Sequence, residues 1–321
     1  MDTWVKQVHR RAQIVMDQIM ATKEAAADTG VDLSAIERQN WLLLERLYSE
    51  DFPAARLRDD SDIVLRAEGP GADHFAPSLR SFNWLTDHVK TQLTRLTASV
   101  LPMAVKDAHA AAKRIDWVFM GYAPGSIMLG FALRTPESMP GFEESDRIAH
   151  EMLSTSAQMI ATVPQFVGDA GLRAEISEAI TDPALRDSAV IAAWSLAPTQ
   201  QSGIHTIQVA SRNGDSGSLS QRERMVLKTA IDRPDLRQKH RGEFSGNMRA
   251  ADLDKQRATL RDVADIGAIR CILPPEMEAE TSLLFGKRVI VEGEYETDKD
   301  GRPRLMQVHS LKPDLSQESL L

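Results

Sequence analysis

The sequence predicts an α+β protein in three parts: an N-terminal helical hairpin, an α+β sandwich and a C-terminal five-stranded β-barrel. Three observations support this. Apolar residues repeat at helical spacing through the first fifty residues, strand and helix patterns follow one another to about residue 212, and short strand-like runs then fill the rest. We place the parts at residues 1–55, 60–232 and 240–313. A length of 321 residues fits several domains, since single cores stop growing at roughly 250–300 residues.

Composition limits the compartment and the partners. The net charge of −8 argues against a protein whose whole surface attracts phosphate. A single cysteine, Cys271, allows neither an intramolecular disulfide nor a multi-thiolate zinc site. The charged N-terminus does not resemble a signal peptide, and no run approaches 18 apolar residues. We therefore expect a cytoplasmic protein that does not associate with membranes.

The first part is predicted to be two amphipathic helices joined by a turn. One stripe consists of Val5, Val8, Ala12, Val15 and Ile19, and the other of Leu33, Ile36, Leu43 and Leu47. Asp32 is a candidate cap of the second helix. Two helices bury little surface alone, so the hairpin must pack on the rest of the chain or form a homo-oligomer through residues 2–49. Both alternatives stay open at this point.

The middle part has the element order of a split βαβ unit. The pattern predicts these elements in turn: a strand Asp62–Glu68, a helix from Ser78 to Pro102, a hairpin of Asp116–Tyr122 and Ile127–Leu133, helices over 143–163 and 173–197, a strand Ile204–Ser211 and a loop Asn213–Gly217. Pro124 and Gly125 suit a type II turn in the hairpin. With one extra helix, this order predicts a ferredoxin-like α+β sandwich.

A helix starting at Ser220 connects the middle part to the barrel. Ser220 and Glu223 form an S-x-x-E capping box for a helix that reaches about Ile231. The residues Leu219–Leu227 resemble the opening of a LuxR-type helix-turn-helix. Pro234 and a charged linker follow where a recognition helix is needed, so a linking helix is the better interpretation.

The last part is predicted to be a small barrel. Its strands are expected at Glu243–Met248, Ala258–Arg261, Ala268–Leu273, Arg288–Glu294 and Arg304–Leu311. A short helix between Pro274 and Gly286 separates the third strand from the fourth, and Asp300-Gly301 marks the last hairpin turn. This is the order of an OB-fold, although an SH3-like barrel has a similar pattern.

The barrel region also resembles the small C-terminal barrel of an uncharacterised bacterial protein family that often occurs in defence or mobile-element neighbourhoods. The resemblance rests on four motifs and covers about a quarter of the chain: Asp252–Asp254 before Ala258–Arg261, Ile269–Cys271, Gly286–Val289 and Gly301–Arg304. It implies the barrel fold and transfers no catalytic or ligand-binding residue.

Six barrel residues are candidates for binding single-stranded nucleic acid, which needs a cationic groove with aromatic platforms. They are Arg270, Lys287, Arg288, Tyr295, Arg302 and Arg304. Against this, the segment from Arg233 to Leu321 holds fifteen Lys and Arg and sixteen Asp and Glu, so its charge is balanced. Solvated arginines around a protein-binding barrel are the competing interpretation, and the basic segment Arg233–Arg241 is interpreted as a solvated linker.

Catalytic and cofactor motifs were not found. The sequence has no P-loop, no G-x-G-x-x-G after a strand, no G-x-S-x-G elbow and no H-E-x-x-H. Cys271 lies on an apolar strand and is interpreted as a core residue. We expect no cofactor, metal or catalytic residue, and a non-catalytic adaptor or regulatory subunit of a bacterial defence or toxin–antitoxin type system, bound to a protein encoded nearby. A nucleic-acid sensor and an enzyme with an unrecognised site are the alternatives.

Overall fold

The computed structural model describes most of the chain. The described residues are 3–73, 76–100, 117–123, 126–134, 153–155, 157–212, 214, 216–234, 236–237 and 239–314. The start of the predicted helix 143–163, the turn at Pro124 and Gly125, Asp116, Pro102, Asn213 and Asp215 lie outside them. None of the described helices combines the length and the apolar character needed to cross a membrane.

The N-terminal part is a long helical hairpin. Its helices are α1 (Trp4–Thr29), α2 (Ser34–Arg46) and α3 (Phe52–Asp60), and a π-helical turn (Leu47–Asp51) joins the last two into one continuous rod. The first helix begins with a Thr3 cap and ends at Gly30, which adopts the left-handed conformation. The two arms share a small core of Ala12, Val15, Ile19, Leu44 and Leu47.

The predicted stripe of α1 is confirmed, whereas that of α2 is correct at Leu47 and wrong at Ile36 and Leu43. Ile36 and Leu43 are 49% and 45% exposed, whereas Leu44 is buried against α1 together with Leu47. The rod is continuous with α3, which packs on the sheet through Leu57, so the sheet contact helps to set the rotation of α2. An apolar edge of α2 therefore remains open.

The middle part is a five-stranded antiparallel sheet with helices on both faces. Its elements are β1 (Ile63–Glu68), α4 (Leu79–Val100), β2 (Trp117–Ala123), β3 (Ile127–Leu133), α5 (Pro183–Leu196), β4 (Thr206–Ser211) and β5 (Ser216–Ser220). The strand order is β2-β3-β1-β4-β5, and Leu65 of β1 lies between Leu129 and Val209. The first four strands have the order and antiparallel pairing of a split βαβ sandwich, so the ferredoxin-like prediction is confirmed.

Two local predictions in this part need correction. The end of the predicted loop, Ser216 and Gly217, belongs to the edge strand β5, which pairs with β4. The predicted helix 173–197 is interrupted, because a single turn (Ile176–Ala179) precedes α5 and Pro183 starts a new helix capped by Asp182. Pro183 lacks an N–H and cannot continue a preceding helix.

Both faces of the sheet are covered by helices. One face packs with α4 and α5 into the main core, which includes Leu65, Leu85 and Leu129. The other face receives α3, whose Leu57 packs with Val64 and neighbouring residues. Gly130 makes this approach possible, since a Cβ there would lie 2.6 Å from Leu57 Cδ1. The hairpin is thus anchored to the sheet by its second arm.

Helix α6 (Gln221–Asp232) leads from the sheet towards the barrel. The predicted capping box is confirmed: the Arg222 N–H donates to Ser220 Oγ over 3.1 Å, and the Ser220 N–H donates to Glu223 Oε2 over 2.9 Å. The helix therefore begins at the residue that ends β5.

The C-terminal part is a closed barrel. It comprises β6 (His240–Asp252), β7 (Arg257–Val263), β8 (Gly267–Ile272), α7 (Glu278–Leu284), β9 (Arg288–Thr297) and β10 (Pro303–Pro313). The circular order is β10-β8-β7-β6-β9, with β8 and β10 parallel and the other neighbours antiparallel. This order, with a helix between the third and fourth strands, is not a simple meander and favours the OB-type alternative. Inward residues of all five strands form a separate core.

Candidate functional site

The candidate site lies where α5 meets the outer wall of the barrel. On β7 and β8, the residues beside Arg257 and Arg270 point into the barrel core, so these two arginines point outwards. Helix α5 lies against them and brings Asp187 between the two guanidinium groups. The junction therefore joins two domains through charged groups.

Asp187 is held by both arginines. Arg257 Nη2 donates to Asp187 Oδ1 over 2.8 Å, and Arg270 Nε donates to Oδ2 over 2.6 Å. Burial opposes ionisation of this carboxyl group, but the charges and hydrogen bonds of Arg257 and Arg270 outweigh it and lower its pKa to about 2. Arg257 also donates to the Ile231 carbonyl at the end of α6 over 3.0 Å.

Two further ion pairs flank Asp187. Arg186 Nη2 donates to both carboxylate oxygens of Glu296 on β9, over 2.7 and 2.8 Å, and both side chains are buried. Arg304 Nε on β10 donates to Asp182 Oδ2 over 3.0 Å, while Asp182 also caps α5. The first turn of α5 thus contacts four strands of the barrel through paired charges, which fixes the helix on this wall.

The covered wall corresponds to the surface that OB-folds use for ligands. Such barrels bind oligonucleotides on the face of the second and third strands, which are β7 and β8 here. Arg257 and Arg270 lie on that face, and Asp187 forms an ion pair with each of them. A phosphate could reach them only by displacing the carboxylate and α5.

The six predicted nucleic-acid contacts do not form one groove. Arg270 and Arg304 lie on the neighbouring strands β8 and β10 and bond to α5 residues. Arg288 Nε donates to Asp314 Oδ2 over 3.1 Å at the start of β9. Arg302 comes just before Pro303, which pairs with Thr297 at the other end of β9. That end of the strand lies ~30 Å from Arg288.

The remaining two candidates are also separated. Tyr295 packs with its ring centroid 5.2 Å from that of Phe244 and 5.5 Å from that of His240, which makes it part of the barrel packing. Lys287 is exposed just before β9. Lys287 and Tyr295 therefore lie towards opposite ends of β9.

A second candidate surface is an open groove along the hairpin. Its apolar floor contains Ile14, Val15, Leu43 and Leu47, and its rim carries Arg11, Gln18, Arg46 and Asp51. Ile14 is 53% exposed and Leu43 is 45% exposed. Exposed apolar side chains concentrated on one element are typical of interaction surfaces.

The described residues hold no group of three side chains suited to binding a metal ion. Cys271 is completely enclosed in the barrel core, and burial raises the pKa of its thiol to about 12. The thiol is therefore protonated at neutral pH and lacks the thiolate that a nucleophile requires.

Sequence reasoning missed the residues that carry the junction. Arg186 and Asp187 were inside a predicted helix, whereas Arg257 and Glu296 lay just outside the predicted strands Ala258–Arg261 and Arg288–Glu294. A usable signal exists, because Arg186 and Asp187 are the charged residues of the otherwise apolar or small-residue helix α5. An Arg-Asp pair in such a helix indicates that partners lie outside it.

Comparison with known protein families, with curated proteins and with solved structures finds no match for this chain.

Proposed function

We propose that the chain is a non-catalytic interaction protein, and that its hairpin groove joins it to a second copy of itself. The observation that carries the proposal is the exposed apolar floor of the groove, with Ile14 and Leu43 about half exposed. Among the described elements, helix α1 packs chiefly against the second arm of the hairpin. A second hairpin on the open side would complete a four-helix arrangement with a larger core.

The rim of the groove is complementary to itself. Arg11 of α1 and Asp51 of the second arm form an ion pair over 3.5 Å at one end of the groove, and a twofold axis can place each beside the opposite charge of the other copy. Along α1, Lys6, Arg10 and Arg11 precede Asp17, Lys23, Glu24 and Asp28, so the second half has three acidic side chains and one basic side chain. An antiparallel pairing of two copies of α1 therefore sets a basic half against an acidic half. This charge pattern favours a second copy as the occupant.

The charged junction supports a structural role for its ionisable groups. Asp187, Glu296 and Asp182 each accept hydrogen bonds from an arginine of the opposing domain or element. Groups held in this way position α5 on the barrel. A role as an adaptor or regulatory subunit, in a defence or toxin–antitoxin type system or elsewhere, and a cytoplasmic location stay predictions.

The experiment compares two double variants by sedimentation velocity. I14E/L43E places charges on the groove floor and is expected to convert a dimer into a monomer, because the buried apolar contact is lost. L79E/L283E is the matched control, since Leu79 and Leu283 are 78% and 72% exposed outside the hairpin. It should stay dimeric. Circular dichroism checks that both variants keep their helices.

Two results would sink the proposal. One is a monomeric parent chain, and the other is a dimer that survives I14E/L43E with unchanged dissociation constant. Nucleic acid that copurifies with the chain, and that is lost when Arg288 and Arg304 become glutamate, would instead favour the sensor alternative.

A further inference from the structure

A cleft lies beside the charged junction and is lined in part by Arg186 and Asp187. It has a volume of about 310 Å³ and is bounded by the loop 169–173, the helices α5 and α6, the linker after α6 and Leu305 of the barrel. Small-molecule sites occur preferentially at domain interfaces, and their volumes begin at roughly 300 Å³. The cleft is thus large enough for a ligand of the size of a mononucleotide or sugar phosphate.

Cations outnumber anions in the lining of this cleft. Arg173, Arg186, Arg233 and Arg237 line it, together with two carboxylates. Both carboxylates are already paired: Asp169 accepts a hydrogen bond from Arg222, and Asp187 is held by the barrel arginines. The lining therefore carries an excess of positive charge.

Three of the four arginines have no carboxylate partner among the described residues. Arg186 is paired with Glu296, whereas Arg173 donates to the Gln165 carbonyl and lies over the Phe166 ring. Arg233 and Arg237 are exposed on the linker, where no described side chain bonds their guanidinium groups. Guanidinium groups bind phosphate oxygens bidentately, so three lining arginines without a described carboxylate partner favour a phosphate ligand.

The walls supply the second half of a binding site. Leu172, Ile176, Val190, Val226 and Leu305 line the cleft between the arginines. An inorganic anion would leave these walls uncovered, whereas a phosphate ester would place its charge at the arginines and its organic part on the apolar walls. The arginines come from the sheet domain and from the linker to the barrel, so such a ligand would bridge the two.

We infer that this cleft binds a small phosphate ester, with its phosphate held by Arg173, Arg233 and Arg237. The inference does not depend on self-association through the hairpin, because no residue of the hairpin groove lines the cleft.

The test is isothermal titration calorimetry of the full chain with adenosine monophosphate and glucose 6-phosphate. Adenosine and glucose serve as the uncharged counterparts. At least one ester is expected to bind, and its counterpart is expected to bind at least tenfold more weakly. R233E/R237E should abolish that binding. R80E is the matched control, since Arg80 is exposed at the start of α4 and does not line the cleft. Binding to R80E should equal that of the parent chain.

Three results would overturn the inference. The first is that neither ester binds. The second is that an ester and its uncharged counterpart bind equally, and the third is that binding of the ester persists in R233E/R237E. Circular dichroism and a thermal melt of each variant distinguish loss of the site from loss of the fold.

Discussion

Replacing Asp187 by asparagine removes the carboxylate that Arg257 and Arg270 share at the junction. The side chain keeps its size but loses its charge, so two guanidinium groups remain near each other without a counter-ion. Arg257 is 4% exposed and cannot turn to water without moving α5. Breaking a buried ion pair by removing one partner costs about 3–5 kcal/mol, and we expect D187N to fall in that range.

The pKa of Asp187 gives an independent magnitude. It is lowered from 3.8 to about 2 in the folded chain. Since one pKa unit corresponds to about 1.4 kcal/mol, the ionised carboxylate contributes on the order of 2 kcal/mol to stability. The folded pKa is the lower one, so this contribution is complete above about pH 4 and is lost as the pH falls towards 2.

Urea unfolding followed by circular dichroism measures both effects. At neutral pH the free energy of unfolding of D187N should be about 3 kcal/mol or more below that of the parent chain. Between pH 4 and pH 2 the free energy of unfolding of the parent chain should fall by about 2 kcal/mol more than that of D187N. D169N is the control, because Asp169 forms an exposed pair with Arg222 and such pairs contribute roughly 0–1 kcal/mol. Equal stability of D187N and D169N, or equal acid sensitivity of D187N and the parent, would refute the reasoning.

Three further predictions, one from thiol labelling and two from substitutions, concern other parts of the fold. Cys271 should react with a thiol reagent only when urea unfolds the barrel, because its pKa is raised to about 12 by burial; rapid labelling of the folded chain would contradict this. D59A should destabilise the start of α1 by about 1 kcal/mol, because Asp59 accepts from the Trp4 N–H over 2.9 Å; amide hydrogen exchange should rise there and stay constant in β9. G293A should destabilise the barrel by at least about 2 kcal/mol, because its Cβ would lie 2.0 Å from the Gln307 carbonyl oxygen; an unchanged melting temperature would contradict that packing.

Local sequence signals predicted much of the fold. The β2–β3 hairpin, the capping box at Ser220 and all five barrel strands were predicted near their observed positions. Each depends on spacing or turn chemistry within a short window, such as the alternation along β3 or the Asp-Gly turn before β10. Long periodic segments with clear ends are therefore predictable from one sequence.

Contacts between distant segments were not predictable in the same way. The buried edge of α2 depends on how α3 meets the sheet, so Leu44 replaced Leu43 as the core residue. The partners of Asp187 lie 70 and 83 residues further along the chain. No spacing rule connects such positions, and only the folded arrangement of α5 on the barrel brings the charges together.

The solution mass of the full chain, measured by light scattering after size-exclusion chromatography at two concentrations, tests the central claim most directly. Assembly through the hairpin groove predicts twice the chain mass of 35.6 kDa for the parent protein and 35.6 kDa for I14E/L43E. A parent chain that elutes at 35.6 kDa at both concentrations would contradict assembly through the hairpin groove.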